Sequence, residues 1–285
     1  MVEIAFQSSP RDFLNKCGAV LEKDEVEHNL MLSLCQAAEK KQKKGEKADI
    51  RCSIVSDGDD FVLAAVQTPP HNIILSKSSQ PDVERLAEEL AKKKFKFPGI
   101  VGPSDVTSIF SNKWAELTGQ KSVEYMDQII YVLKNVVMPT PVEGEMRLAK
   151  PDEVDLVAEW NFAFSAAAAP KSEQISEKEA RAQAEDIVKA ERVVFWCVKG
   201  KPVAQASFSG TDSVARISRV YTPPENRGKG YASAVVAHLS KMQLDLGKKL
   251  CCLYADARNP VSNSIYRKIG YEFAGRSSLY VLDKN

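Results

Sequence analysis

Histidine is scarce in this sequence, and the cysteines follow no pattern of metal binding. The only histidines in the 285 residues are His28, His71 and His238, which lie in different segments. The six cysteines lack the spacing of metal ligands and the density of a disulfide scaffold. A zinc centre, a histidine-based catalytic triad and a disulfide-rich secreted fold are therefore not indicated. We expect reduced, mostly buried cysteines and no bound metal.

Long apolar runs and an excess of one charge are also missing. The amino terminus has no apolar run of signal-peptide type, and no stretch approaches the length of a membrane span. We therefore expect a cytoplasmic protein that does not bind a membrane. Lys and Arg number 39 and Asp and Glu number 38, which gives a net charge of +1. This balance argues against nucleic acid as a partner. The basic cluster at 40–47 does not change that expectation, because it is short and flanked by acids.

The most informative segment joins a strand at 215–221 to a helix through a loop that contains two glycines. The loop then lies at a helix amino terminus, where unbonded backbone N–H groups and the helix dipole favour an anion. Gly228 and Gly230 allow a ligand to approach this backbone closely, and Arg227 and Lys229 add positive charge. The segment predicts a site for the phosphates of a nucleotide-type cofactor.

The loop lacks the Lys-Ser/Thr ending of a P-loop and the third glycine of a dinucleotide-binding turn. Arg227-x-x-Gly230-x-Ala232 instead resembles the signature of the GCN5-related N-acetyltransferase (GNAT) superfamily, whose loop binds the pyrophosphate of acetyl-CoA. A second block at 259–273 resembles the superfamily segment that forms the helix beside the thiol end of CoA. Its Tyr266 matches the tyrosine that commonly protonates the leaving thiolate. The residues that the resemblance assigns to acetyl-CoA binding are Val220, Tyr221, Thr222, Arg227, Gly228, Lys229, Gly230, Tyr231, Ala232, Asn259, Ser262 and Asn263.

The order of predicted elements from about residue 144 to 285 also follows this superfamily. Helical patterns at 153–164 and 177–189 precede a hairpin at 193–208, and a final hairpin is predicted at 272–281. The resemblance implies an α/β fold of α+β type, with a mixed sheet flanked by helices. We expect tandem GNAT-like acyl-CoA N-acyltransferase domains.

The first half of the chain shows the same order: hairpin, strand, helix, strand, helix, final strand. We therefore predict a degenerate GNAT-like domain at 1–138, a linker at 139–145 and a GNAT domain at 146–285. The loop at 78–82, before the first-half helix, has no glycine pair and no Arg or Lys, so we expect no CoA there. The first half could wall the substrate cleft, form an oligomer interface such as that of a homodimer, or stabilise the second half.

The resemblance implies transfer of an acetyl group from acetyl-CoA to a primary amine, by direct attack in a ternary complex. The acceptor would be a small molecule or a peptide, with the N–H of Val220 as oxyanion donor and Tyr266 as proton donor. Many relatives carry a glutamate base on the strand before the loop, but 215–221 has no carboxylate. Asp256 and Glu159 are candidate substitutes, and surface or capping roles remain open for both.

Alternatives remain open at each of these positions. Tyr266 could be a buried tyrosine that bonds to backbone, and Asn259, Ser262 and Asn263 could be capping or turn residues. The missing carboxylate also leaves a second function open. The chain could be a non-catalytic acyl-CoA-binding sensor or an interaction protein.

Overall fold

The computed structural model describes residues 2–7, 9–58, 60–171 and 174–283, with only the backbone of residues 2 and 3. Asp59, in the turn of the first predicted hairpin, lies outside them. The strands are β1 Val2–Gln7, β2 Arg51–Asp57, β3 Asp60–Gln67, β4 Ile73–Leu75, β5 Gly99–Pro103, β6 Ser122–Leu133, β7 Glu145–Leu148, β8 Val193–Val198, β9 Lys201–Gly210, β10 Val214–Tyr221, β11 Leu250–Asp256 and β12 Glu272–Leu282. The helices are α1 Pro10–Leu21, α2 Glu25–Lys43, α3 Gln80–Lys92, α4 Ser104–Thr118, α5 Val154–Ala168, α6 Glu177–Lys189, α7 Tyr231–Asp245 and α8 Pro260–Ile269.

The same order of elements occurs twice along the chain. One strand, two helices, three strands, a helix, a strand, a helix and a last strand run from β1 to β6 and again from β7 to β12. The predicted internal repeat and the mixed α/β fold are therefore confirmed. The sequence did not indicate β1, α1 and α2, which open the first copy.

The chain divides into two compact units that each draw on separate stretches of sequence. Unit 1 comprises 1–130, 256–258 and 274–285, and its strands follow the order β1-β2-β3-β4-β5-β12. Within it, β12 runs antiparallel to β5, with Leu279 opposite Val101. The predicted hairpin at the end of the chain is wrong, because these residues form one continuous strand paired with β5. That pairing leaves no room for a side chain at Gly99, because an added Cβ would clash with the carbonyl oxygen of Tyr280.

Unit 2 comprises 131–255 and 259–273, and it contains the predicted cofactor loop. Its strands follow the order β11-β10-β9-β8-β7. Neighbouring residues of β8 point to opposite faces of this sheet: Phe195 contacts Trp160 of α5, and Trp196 contacts His238 of α7. Helices α5 and α6 therefore cover one face, and α7 covers the other.

All six cysteines are free and buried. Burial, followed by the neighbouring Cys52, raises the pKa of the Cys17 thiol to about 12. Burial also raises the pKa of Cys251 to about 12, and its Sγ lies 3.5 Å from the carbonyl oxygen of Ser240.

In the described part of the chain, no group of three or more His, Cys, Asp or Glu side chains is placed to hold a metal ion. No helix among the described residues is long and apolar enough to span a membrane.

The buried thiols are expected to resist modification in the native state. A pKa near 12 for Cys17 and Cys251 leaves very little reactive thiolate at pH 8. We expect Ellman's reagent to react with six thiols in denaturant and with none at a comparable rate in buffer. Rapid reaction of even one cysteine in the folded protein would contradict this description of the core.

Candidate functional site

The start of α7 offers uncapped backbone donors. Gly230 is the N-cap residue in the left-handed region, with φ of 82°, and it provides no side-chain cap. The first helical hydrogen bond runs from Ala234 N to Gly230 O, 3.0 Å apart. The N–H groups of 231–233 therefore have no acceptor within the helix. Because the first turn also contains no acid, this end of the helix can receive an anion.

Each of the two glycines in the loop is favoured over other residues for a different physical reason. Gly228 has φ of 77°, a conformation that costs other residues energy, and the space beside its missing Cβ is open. At Gly230 an added Cβ would lie 3.0 Å from Cγ1 of Val142. The loop therefore keeps its backbone accessible from one side while it packs against 142 on another.

The basic side chains of the loop hold the loop itself. Arg227 donates from Nε to the carbonyl oxygen of Thr222 at 3.0 Å, and Lys229 donates from Nζ to that of Glu225 at 3.0 Å. Both side chains are exposed, so they can turn toward a ligand without loss of buried contacts. Their positive charge lies beside the amino terminus of α7 in either conformation.

Strand β10 separates from β11 just before the loop. The two strands pair in parallel only from Val214 opposite Leu250 to Arg216 opposite Cys252, although β11 continues to Asp256. On its other side, β10 shifts register against β9 between 218 and 221, where Arg219 takes φ of 48°. This pairing leaves the β11 side of 217–221 outside the ladder.

Tyr266 of α8 is buried, with 8% of its surface exposed. The rings of Tyr131 and Tyr271 lie with their centroids 6.1 Å from its own. No residue in the described ranges hydrogen-bonds to its hydroxyl, so the alternative of a tyrosine held by backbone finds no such bond there. Burial, followed by the neighbouring Tyr131, raises the pKa of Tyr266 to about 12. The hydroxyl therefore keeps its proton throughout the neutral range.

The three polar residues predicted at the start of α8 bond to one another. Asn259 is the N-cap, and its Oδ1 accepts from Ser262 N at 3.2 Å. Ser262 Oγ and Asn263 Nδ2 both donate to the carbonyl oxygen of Asn259, at 3.2 Å and 2.8 Å. The capping role considered for Asn259 is thus observed. Contact of these residues with a cofactor stays a prediction.

Neither candidate base is well suited to take a proton. Burial favours the neutral form of Asp256, but hydrogen bonds from the side chain and backbone of Arg258 outweigh it and lower the pKa of this carboxyl. Asp256 also belongs to unit 1, whereas Glu159 lies on the exposed side of α5 in unit 2. Because β10 itself carries no carboxylate, the role of either residue stays a prediction.

Sequence reasoning missed a polar cluster beneath α5. The side chains of Asn161 and Gln205 are 1% and 0% exposed, and Gln205 Nε2 donates to Asn161 Oδ1 at 3.1 Å. Ser207, two residues along β9, is also buried. The available signal was the alternation of polar residues at 205, 207 and 209 within an otherwise apolar strand.

The corresponding helix of unit 1 starts differently. Helix α3 has Ser79 at its N-cap position and carries Asp82 in its first turn. Ser79 Oγ donates to Asp82 Oδ2 at 2.5 Å. A carboxylate of the chain therefore lies at this helix start, where it would repel a phosphate.

The start of α8 can be tested by its stability. Replacement Asn259→Ala removes the side-chain acceptor of the N-cap and is expected to cost about 1 kcal/mol. Asn259→Ser retains an acceptor and should recover most of that loss. Urea denaturation followed by circular dichroism measures both variants. Equal stability of the alanine variant and the wild type would contradict the capping geometry.

A family model described as FR47-like protein matches residues 197–281 of this chain. The matched segment covers β9, β10, the loop, α7, β11 and α8, and it therefore contains Tyr266 and every residue predicted to bind acetyl-CoA. Comparison with curated protein sequences finds no match.

Several solved structures share the fold over nearly the whole chain. A Drosophila protein superimposes with a TM-score of 0.70 at 14% identity, covering 98% of each chain. A GNAT-family acetyltransferase from Colwellia psychrerythraea has a TM-score of 0.57 at 15% identity and covers 99% of this chain and 100% of its own. A tandem GNAT protein from the clavulanic acid biosynthesis pathway has a TM-score of 0.55 at 11% identity, with 99% and 98% covered. The chain is therefore similar over 197–281 to FR47-like proteins, and its repeated fold is that of a tandem GNAT protein.

Proposed function

We propose that this protein is an acetyl-CoA-dependent N-acetyltransferase that acts on a primary amine in a ternary complex. The observation that carries the proposal is the start of α7, where two left-handed glycines and an uncapped first turn lie beside the diverging strand β10. A GNAT-like acetyltransferase fold supports the general role, and the family match includes this loop.

The residues around the loop offer donors and positive charge that would suit the phosphates of CoA. The pyrophosphate would lie on the N–H groups at 230–232, with Arg227 and Lys229 beside it. The main chain at 220–222 would bind the pantetheine arm, because β11 does not pair with it. Acetyl-CoA supplies an activated acetyl thioester, and the chain positions it for attack.

The bulge in β10 would orient the oxyanion donor. A left-handed conformation at Arg219, which is not glycine, costs energy and is retained only where the surrounding structure holds it. It turns the following peptide unit, so the N–H of Val220 can point away from the β9 ladder and toward the acyl oxygen. A backbone donor fixed in this way stabilises the negative charge that develops as the amine attacks.

Tyr266 would donate a proton to the departing thiolate. Its hydroxyl has no partner among the described residues, and burial keeps the pKa of this phenol near 12. A free thiol has a pKa of about 8.5, but the same burial would raise the pKa of a thiolate formed beside it. Proton transfer from Tyr266 would therefore be easier in this site than the values in water suggest.

A second function is favoured by one observation, the absence of a carboxylate on β10. A non-catalytic acyl-CoA-binding sensor would retain the phosphate-binding loop at the start of α7 without any need for a base. The two functions differ in turnover. Only an enzyme acetylates an amine, and only an enzyme has an activity that Tyr266→Phe can lower.

The proposed phosphate site at the start of α7 can be tested by placing a negative charge in it. Ala232→Asp adds a carboxylate to the first turn of α7, where it suits the helix dipole and therefore preserves folding. We expect it to weaken acetyl-CoA binding about 10-fold or more through repulsion of the phosphates. Ala232→Asn has nearly the same size without the charge and should lose much less. Calorimetric titration of wild type and both variants measures this. Equal affinity of the two variants would argue against a phosphate site here.

The proton donor can be tested by removing one hydroxyl. Tyr266→Phe should lower kcat by about 10²-fold or more, as removal of a general acid does. The Kd for acetyl-CoA should not change, because the ring remains. Since the pKa of Tyr266 is raised to about 12, its ionisation should not reduce wild-type activity between pH 7 and 10. An unchanged kcat in the variant would rule out this role.

A further inference from the structure

The face of the unit 2 sheet beneath α5 and α6 is unusually polar beside the proposed site of attack. Gln205 lies opposite Tyr221 in the ladder between β9 and β10, so the two side chains share a face. Tyr221 contacts Trp160 of α5, with ring centroids 5.9 Å apart. This face therefore lies directly beside the main chain of Val220, the proposed oxyanion donor.

Two buried amides on this face are only half bonded. Asn161 and Gln205 share one hydrogen bond, and in the described structure Asn161 Nδ2 and Gln205 Oε1 have no partner. If both amides were flipped, the unused pair would again be one donor and one acceptor. An unsatisfied buried polar atom costs stability, so this arrangement points to a polar ligand.

Two guanidinium groups on the same face lack a carboxylate partner among the described residues. Arg219 donates from Nη2 to Gln183 Oε1 of α6 at 3.3 Å, and Arg216 donates from Nη2 to Ser209 Oγ at 3.1 Å. The buried Nε of Arg216 has no partner in the described structure. Burial, followed by the charge of Arg216, lowers the pKa of Arg219. Two cations that destabilise each other in a partly buried region would be stabilised by an anion.

These observations rest on four elements, namely α5, α6, β9 and β10, and all lie within unit 2. They converge beside Val220, where the acceptor would meet the acetyl group. We infer that the acceptor is a free amino acid whose carboxylate binds Arg219 and whose amino group lies near the Asn161–Gln205 pair. The inference rests on the proposed function, and it names the substrate class of that site.

A carboxylate fits this face better than a phosphate. Arginine presents paired N–H donors that match the two oxygens of a carboxylate. Arg219 makes the longer of the two protein contacts, 3.3 Å to Gln183 against 3.1 Å from Arg216 to Ser209. A phosphate dianion carries about twice the charge of a carboxylate, and Arg219 alone would balance only half of it.

The experiment compares each amino acid with the amine that remains after its carboxylate is removed. Wild-type protein with acetyl-CoA is assayed on L-leucine and isoamylamine, L-phenylalanine and phenethylamine, and L-alanine and ethylamine, with phosphoethanolamine as the phosphate probe. Acetyl-CoA binding is measured separately by calorimetry. The variants are Arg219→Gln, Arg219→Lys and the control Arg192→Gln, an exposed arginine of unit 2.

We expect kcat/KM of the wild type to favour at least one amino acid over its amine. Arg219→Gln should reduce that preference by about 30-fold or more, as loss of a desolvated charge partner does. Arg219→Lys should restore part of the preference, and Arg192→Gln should leave it unchanged. Acetyl-CoA binding should be retained in all four proteins, which shows that the variants fold.

Three results would overturn the inference and leave the proposed function standing. They are preference for the amines or for phosphoethanolamine, equal loss on both substrate classes in Arg219→Gln, and acetyl-CoA binding without acetylation of any amino acid. Failure of the folded wild type to bind acetyl-CoA would overturn the proposed function and the inference with it.

Discussion

The site of unit 2 depends on the early end of pairing between β10 and β11. Had the ladder continued past Arg216 and Cys252, the main chain at 217–221 would be bonded to β11 and closed to any ligand. Because it ends there, the strand can offer its backbone on one side and polar side chains on the face beneath α5. The bulge at Arg219 adds to this divergence by shifting the register on the β9 side. One local change in pairing thus separates a site from an ordinary sheet.

Comparison of the two units shows how little distinguishes the proposed binding loop of unit 2 from its counterpart in unit 1. Both units follow the same order of elements, and α3 follows β4 in the first copy as α7 follows β10 in the second. In unit 2 that helix starts with Gly230 and an uncapped turn, whereas in unit 1 it starts with Ser79 and Asp82. A few residues at a helix terminus therefore decide whether an anion is attracted or repelled, and the fold alone does not.

Local patterns in the sequence predicted much of unit 2. Helix α6 and strand β8 occur where predicted, because Ser176 and Glu179 form a capping box and the strand is continuously apolar. The glycine loop was also predictable, since its chemistry lies in consecutive residues. Contacts between distant segments were not. The pairing of β12 with β5 is long-range, and the segment predicted as a hairpin at 272–281 instead forms one strand.

The polar face was beyond sequence reasoning for a related reason. Asn161 and Gln205 are 44 residues apart, and only the packing of α5 on β9 brings their amides together. The left-handed conformation of Arg219 is likewise imposed by the bulge, because arginine has no preference for it. Propensity and periodicity describe neighbours in sequence, whereas both features arise from neighbours in space.

The central claim is that the diverging strand, the loop and α8 form one acetyl-CoA site. Hydrogen exchange of the backbone amides, measured by mass spectrometry with and without acetyl-CoA, tests it directly. The account predicts slower exchange at 219–234 and 259–266 on addition of acetyl-CoA, and little change in α3 and α4. Protection confined to other segments, or unchanged exchange at 219–234 when acetyl-CoA is bound, would contradict it.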